Sequence, residues 1–197
     1  MSTAGRGVVC LSATAASAAD WVRRGVVPCH VLEHASWSVV VPARTASAAA
    51  APYDDALTVL ASRHIAPRLG PAIGLFHFDD VAVLTARAAG RAPTRWALRD
   101  SDGRVVGGPD LPRLTPEDLH RTLAGGATSR LVPIRQVREL WQRTDLAHDQ
   151  WLVEVTAVLG LPAGRVLDGT DTHLGPVIAP HARSVAGFDS VVKDVHQ

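Results

Sequence analysis

The sequence predicts an α+β fold, a two-layer sandwich with a mostly antiparallel sheet, followed by a helical C-terminal section. Three observations predict it. Short runs rich in β-branched residues come in pairs around polar turns, capped helical patterns separate some of these pairs, and helical spacing dominates residues 113–168. The opening order of strand, helix, two strands, helix and strand is that of a ferredoxin-like βαββαβ unit, here with extra strands.

The first elements follow from short apolar runs and their flanking residues. Residues 8–11 are continuously apolar, which favours a strand buried on both faces. A helix follows because a hydroxyl residue, Ser12 or Thr14, can cap its first turn and a glycine can end it. Residues 26–32 and 37–41 are rich in β-branched side chains and predict an antiparallel hairpin.

A second helix is predicted from Pro52 through Ile65. Asp54 and Asp55 suit the positive N-terminal end of this helix, and apolar residues then recur at helical spacing. Two further hairpins are predicted with strand pairs at 73–78 and 81–86, and at 96–99 and 104–106. The predicted sheet therefore extends beyond the ferredoxin-like unit.

The C-terminal half is predicted to be helical as far as Gly160. Thr115 can cap one helix, residues 134–141 form a second, and Thr144 with Asp145 begins a third. The last thirty residues show no periodicity. We therefore expect an α+β sheet domain at 1–108, a helical section packed on it at 109–168, and an irregular C-terminal arm at 169–197.

The amino-acid composition indicates the kind of source organism, and the charged residues are unevenly distributed along the chain. Of 20 basic residues 19 are arginine and only Lys193 is lysine, a bias typical of GC-rich codons and of a high-GC bacterium. Arginine number alone is therefore weak evidence for nucleic-acid binding. Residues 87–143 carry eleven basic and six acidic side chains, and residues 144–197 carry three and seven. We expect the acidic C-terminal segment to lie near the basic middle, or to meet it on a second copy of the chain.

The cysteines and the hydropathy pattern predict a cytoplasmic protein. Cys10 and Cys29 have apolar neighbours, which favours buried free thiols over a secreted disulfide framework. No apolar run approaches the roughly 20 residues that a membrane-spanning helix needs. We expect no membrane association.

Several catalytic classes lack their sequence signatures. Lys193 follows no glycine-rich loop, so a P-loop nucleotide site is not predicted. The chain has no Gly-x-Ser-x-Gly elbow and no His-Glu-x-x-His helix, and its Gly-x-Gly pair precedes the first strand instead of following it. The sequence therefore predicts no cofactor.

Two polar clusters remain as candidate sites for a small enzyme. Cys29, His30 and His34 lie on one predicted strand, where neighbouring side chains face opposite sides and the two histidines stand about 13 Å apart. We therefore favour a buried thiol beside a hairpin histidine over a metal site or a Cys–His pair.

His77, with Asp79 and Asp80, lies at a predicted hairpin tip. A carboxylate beside an imidazole suits acid–base work, whereas paired aspartates are also common in solvated turns, which is the interpretation favoured here. No metal is predicted at either cluster.

Candidate binding residues cluster in the third hairpin and at the start of the first. Arg95 and Arg99 would share one face of a strand and, with Arg104, could hold phosphates or carboxylates. Trp37, beside hydroxyl residues, is the candidate for an exposed aromatic anchor.

These observations favour binding over catalysis. The leading hypothesis is a non-catalytic protein-binding or self-associating module whose partner is another protein or a second copy. One alternative is a small enzyme using the Cys/His or His/Asp cluster. Another is nucleic-acid binding through the arginine-rich hairpin, the less favoured partner class.

Overall fold

The structure, a computed structural model, describes residues 6–125 and 132–195. Its strands are β1 (Arg6–Leu11), β2 (Cys29–His34), β3 (Trp37–Pro42), β4 (Ala72–Phe78), β5 (Val81–Arg87), β6 (Arg95–Arg99) and β7 (Val105–Val106). Its α-helices are α1 (Ala15–Arg23), α2 (Ala56–Ser62), α3 (Pro116–Ala124), α4 (Ile134–Gln142), α5 (His148–Leu159), α6 (Gly164–Leu167) and α7 (Ala182–Val195). The α+β class is therefore confirmed.

All seven described strands form one antiparallel sheet in the order β2-β3-β1-β4-β5-β6-β7. The first four strands have the order and directions of a ferredoxin-like unit, since β3 separates β1 from β2 and β1 separates β3 from β4. The remaining three strands extend the sheet on the β4 side. The three predicted hairpins, β2–β3, β4–β5 and β6–β7, are all present.

Helices cover both faces of the sheet. Val9 and Leu11 of β1 belong to an apolar cluster with α1 and α2, whereas Val8 and Cys10 belong to a second cluster with α3 to α6. The helices of the ferredoxin-like unit thus share one face, as predicted. The helical C-terminal section packs on the other face and adds a third layer.

Local capping explains where the best-defined helices begin and end. The Thr115 side chain accepts from the Asp118 amide, and the Asp118 carboxylate accepts from the Thr115 amide, which caps α3. Gly160 ends α5 in the left-handed conformation, with φ of 64°. The predicted start of α5 at Thr144 and Asp145 is wrong by several residues, because the preceding loop is held by side-chain contacts described below.

The C-terminal arm, residues 169–181, passes around the β2 edge of the sheet. His30 contacts the Gly175 carbonyl oxygen at 2.9 Å, and the Ile178 backbone exchanges two hydrogen bonds with Cys29, at 2.8 and 3.1 Å. Leu174 packs against the α3–α6 cluster and Ile178 against the opposite one. The chain therefore changes faces within the arm.

The prediction of an irregular segment at 169–197 is wrong for Ala182–Val195, which form α7, and residues 196–197 lie outside the described residues. Its apolar residues Val185, Phe188 and Val192 stand at helical spacing, but Gly187 and the polar residues between them dilute the pattern. Few apolar positions in a glycine-containing segment gave too weak a periodicity to predict the helix.

Candidate functional site

Arg99 lies inside the protein, where it contacts the loop between α4 and α5 instead of a binding partner. Its side chain is fully buried, and its two terminal nitrogens donate to the carbonyl oxygens of Arg143 and Leu146 at 2.7 and 2.6 Å. The guanidinium also lies 5.4 Å from the Trp151 ring centre, while its Nε has no hydrogen-bond partner. Burial lowers the pKa of Arg99. The expectation of an exposed phosphate-binding guanidinium at this position is corrected.

The same contacts explain the late start of α5. The carbonyl oxygens that Arg99 binds flank the loop where the helix was expected to begin, and Arg143 also forms an ion pair with Asp145 at 2.7 Å. The loop is thereby held in a non-helical path.

Arg95 and Arg104 do not converge with Arg99 on one open surface. Arg95 does share the strand face with Arg99, as predicted, but that face is covered by α3, and Arg95 lies 3.7 Å from Asp118. Arg104 is exposed and pairs with Asp102 at 3.5 Å. The three arginines therefore occupy three different environments.

Trp37 is part of the core. Only 4% of its surface is exposed, and it packs in the cluster beneath α3 to α6. The expectation of an exposed anchor is wrong because hydroxyl neighbours do not reveal which face of a strand meets a helix. Its indole Nε1 has no hydrogen-bond partner.

Cys29, His30 and His34 are not brought together. Cys29 packs in the α1/α2 cluster, whereas His30 lies opposite Val41, which belongs to the other face. The Cys29 thiol donates to the Val27 carbonyl oxygen at 3.4 Å, and burial raises its pKa to about 12. A thiol held protonated cannot serve as a nucleophile at neutral pH.

His77 contacts an imidazole instead of a carboxylate. Its ring centre lies 6.0 Å from that of His148, whose Nε2 is 2.8 Å from the Asp100 carbonyl oxygen. Asp79 and Asp80 are exposed in the β4–β5 turn, where Asp79 has φ of 28°. No group of three or more potential ligands within the described residues is placed to hold a metal ion.

The clearest concave site lies between the α1/α2 side of the molecule and α7. A cavity of about 500 Å³ is present there. Its lining combines apolar side chains with three basic ones and no carboxylate, and comprises Arg24, Gly25, Val26, Tyr53, Val59, Ser62, Arg63, His64, Ser184, Gly187, Phe188 and Val191. The size falls within the range of small-molecule sites.

Arg63 is the central polar residue of this cavity. Its guanidinium stacks on Trp21, 3.9 Å from the ring centre, and its Nη2 donates to the Trp21 carbonyl oxygen. Its Nη1 is buried and has no hydrogen-bond partner. Burial lowers the pKa of Arg63 to about 10, so the side chain remains charged at neutral pH.

This site is not evident from the sequence, because its parts come from distant segments. Arg63 ends α2, Trp21 lies on α1, and the third wall is α7, a helix that was not predicted. Gly25 gives the only local hint, since a Cβ there would lie 2.2 Å from Arg63 Nη1. A glycine that ends a helix is expected on conformational grounds alone, so its second role is hidden.

No family model, curated protein or solved structure matches this chain. Function must therefore be inferred from the geometry of the molecule. Within the described residues, no helix is both long enough and apolar enough to cross a lipid bilayer.

Proposed function

We propose that this chain is a non-catalytic protein-binding module that associates with a second copy of itself by exchanging its C-terminal arm and α7. One observation carries the proposal. The helix α7 has 14 residues, yet none of its described side chains, from Ala182 to Lys193, is fully buried. A helix that fits its cleft but is weakly held can be replaced by the identical helix of a neighbour.

The contacts of α7 are few and confined to one stripe. Val185 and Phe188 pack against the α1/α2 cluster, and the Phe188 ring meets Tyr53 edge-on at 5.3 Å. Val191 on α7 is 62% exposed, and Val177 in the arm is 54% exposed. Exposed apolar side chains on a peripheral element favour burial against another protein surface.

The path of the arm is compatible with exchange. Gly169 and Gly175 have φ of 77° and 70°, a conformation that glycine adopts without strain. The arm is fastened by the Cys29–Ile178 backbone pair, by His30 with the Gly175 carbonyl oxygen, by packing of Leu174, and by the His181 amide, which donates to the Arg23 carbonyl oxygen at 2.8 Å. The same contacts can form in trans, so exchange costs mainly the entropy of association.

The distribution of charges along the chain supports a contribution of ion pairs to self-association. Six of the seven ion pairs among the described residues join charges within the same segment, and only Arg143–Asp145 links the basic middle to the acidic C-terminal segment. Acidic side chains such as Asp149 and Asp171 accept only backbone amides and form no ion pair within the described residues, so their charge can pair with a second copy. The two buried free thiols support a location in the reducing cytoplasm.

Directed cross-linking tests the exchange. The Ala50 amide lies 3.5 Å from the Asp189 carboxylate, so cysteines at these positions meet when α7 is docked. One preparation carries Ala50→Cys and another Asp189→Cys. After mixing and mild oxidation, we expect a disulfide-linked dimer that joins the two preparations, since only α7 docked in trans brings these cysteines together.

The matched control replaces Asp189→Cys with Ser190→Cys, an exposed neighbour on the same helix. This pair should give much less cross-linked dimer. Size-exclusion chromatography with light scattering should show a concentration-dependent dimer that weakens with salt. A monomer at every concentration, with no cross-link above the control, would reject the proposal.

A further inference from the structure

The cavity beneath α7 carries an unbalanced positive charge. Arg24 and Arg63 both line it, and neither forms an ion pair with a described carboxylate. The ion pair nearest in sequence, Arg23–Asp20, lies outside the lining. An anion entering the cavity would therefore meet cationic groups with no competing carboxylate in the lining.

The Arg63 guanidinium is held in place before any ligand arrives. Stacking on Trp21 and the bond to the Trp21 carbonyl fix its plane, and the missing side chain of Gly25 leaves room for Nη1. A buried donor without an acceptor is costly, especially when it is charged. Nη1 is closed off from solvent beside Gly25, so an acceptor in the cavity removes that cost only after a small shift of the guanidinium.

The rest of the wall is apolar. Val26, Val59 and Phe188 line the cavity, and Tyr53 and Val191 lie at its outer part, both partly exposed. A ligand must therefore combine a small anionic end with an apolar body. Nη2 of Arg63 is already engaged by the Trp21 carbonyl oxygen, so this guanidinium cannot hold a phosphate with both terminal nitrogens, and a carboxylate suits it better.

We propose that this cavity binds a small amphipathic monocarboxylate, with the carboxylate at Arg63 and an alkyl or aryl body against Val59 and Phe188. The site goes beyond the proposed self-association. It needs α7 docked in its cleft but does not require that the helix come from another copy.

Isothermal titration calorimetry with octanoate, 1-octanol and acetate tests whether the carboxylate and the apolar chain both contribute to binding. Octanoate carries both the anion and the apolar chain, whereas each of the other probes carries one. We expect octanoate to bind at least tenfold more tightly than either control. Equal affinity for octanoate and octanol would overturn the role of Arg63, and absence of octanoate binding would overturn the site.

A space-filling variant locates the binding. A Cβ at Gly187 meets no atom within 4 Å, and the residue lines the cavity, so Gly187→Leu fills the space without a backbone clash. We expect this variant to lose octanoate binding by tenfold or more. Ala186→Leu is the matched control, because Ala186 is exposed on the same helix outside the lining. Unchanged octanoate affinity in Gly187→Leu would place any binding elsewhere and reject the proposal.

Charge variants complete the test. Arg63→Leu should lose the preference for octanoate over octanol, while Arg63→Lys should keep part of it. Arg68→Leu, an exposed arginine outside the lining, should leave binding unchanged. Circular dichroism melts verify that each variant folds, and the Gly187→Leu titration decides the question if Arg63→Leu does not fold. Failure of the exchange experiment leaves these outcomes unaffected, since α7 lines the cavity whether it docks on its own chain or on a second copy.

Discussion

The helices α5 and α7 lie on opposite faces of the same sheet and differ sharply in how they are held. In α5, five of 12 residues are buried, and Trp151 donates to Leu140 O at 3.0 Å. In α7, no described side chain is buried, although the helix is 14 residues long. Length therefore does not decide how firmly a helix is attached. Buried side chains and the polar contacts between layers decide it.

Arg99, which is buried, and Arg63, which is partly buried, show the same contrast. Arg99 donates from both terminal nitrogens to backbone carbonyls and ties α4 and α5 to β6. Arg63 uses one terminal nitrogen to bind Trp21 and leaves the other without an acceptor beside a cavity. Both terminal nitrogens of Arg99 are therefore engaged by the fold, whereas one terminal nitrogen of Arg63 is not.

The largest expected difference comes from truncating one aromatic residue in each helix. Trp151→Ala should lower the free energy of unfolding by about 3–5 kcal/mol, because it removes a fully buried indole and its hydrogen bond. Phe188→Ala should cost about 1 kcal/mol, because that ring is only partly buried. Urea unfolding measures both, and similar losses would contradict the comparison.

Removal of the Arg99 guanidinium should be the next largest effect. Arg99→Leu leaves two carbonyl oxygens without their donors, and we expect a loss of about 2–3 kcal/mol in urea unfolding. Arg99→Lys should recover less than half, because one ammonium does not reproduce the fork that reaches both carbonyls. Full rescue by lysine would show that charge alone matters at this position.

The buried thiols of Cys10 and Cys29 should make the free energy of unfolding fall at alkaline pH. Burial raises the pKa of Cys10 and Cys29 from 9.0 to about 12. Below pH 9 both are protonated in the folded and unfolded states, so their contribution is fully present. As pH rises further, only the unfolded thiols ionise. Stability should therefore fall by about 1 kcal/mol per thiol between pH 8 and pH 10.

A double variant, Cys10→Ala with Cys29→Ala, should show a flatter pH dependence over the same interval. The comparison stops at pH 10 because the lowered pKa of Arg63 acts in the opposite direction above it. An unchanged slope in the double variant would assign the pH effect to other groups.

The smallest effect concerns reactivity rather than stability. Cys29 lies beneath the arm, whose Ile178 pairs with its backbone, while Cys10 lies under the firmly held α3–α6 layer. Local opening of the arm should make Cys29 react with a thiol reagent roughly tenfold faster than Cys10. Single-thiol variants measure the two rates separately, and equal rates would mean that the arm opens only with the whole fold.

The helices and strands are more evident from the sequence than the candidate site is. Paired β-branched runs predicted all three hairpins, and the order of elements predicted the ferredoxin-like unit. The burial of Trp37 and Arg99 escaped prediction, because strand alternation tells which residues share a face but not which face a helix will cover. The cavity was not predicted either, since its walls come from segments far apart along the chain.

The sequence by itself determined the local structure: where strands turn, where helices are capped, and that two thiols lie among apolar residues. These depend on backbone propensity and on neighbours within a few positions. Only the tertiary structure decided that one arginine joins two layers, that another faces a cavity, and that the C-terminal arm changes faces at the sheet edge. Burial of a charge and the shape of a cavity are set by residues that are distant in sequence and meet only when the chain folds.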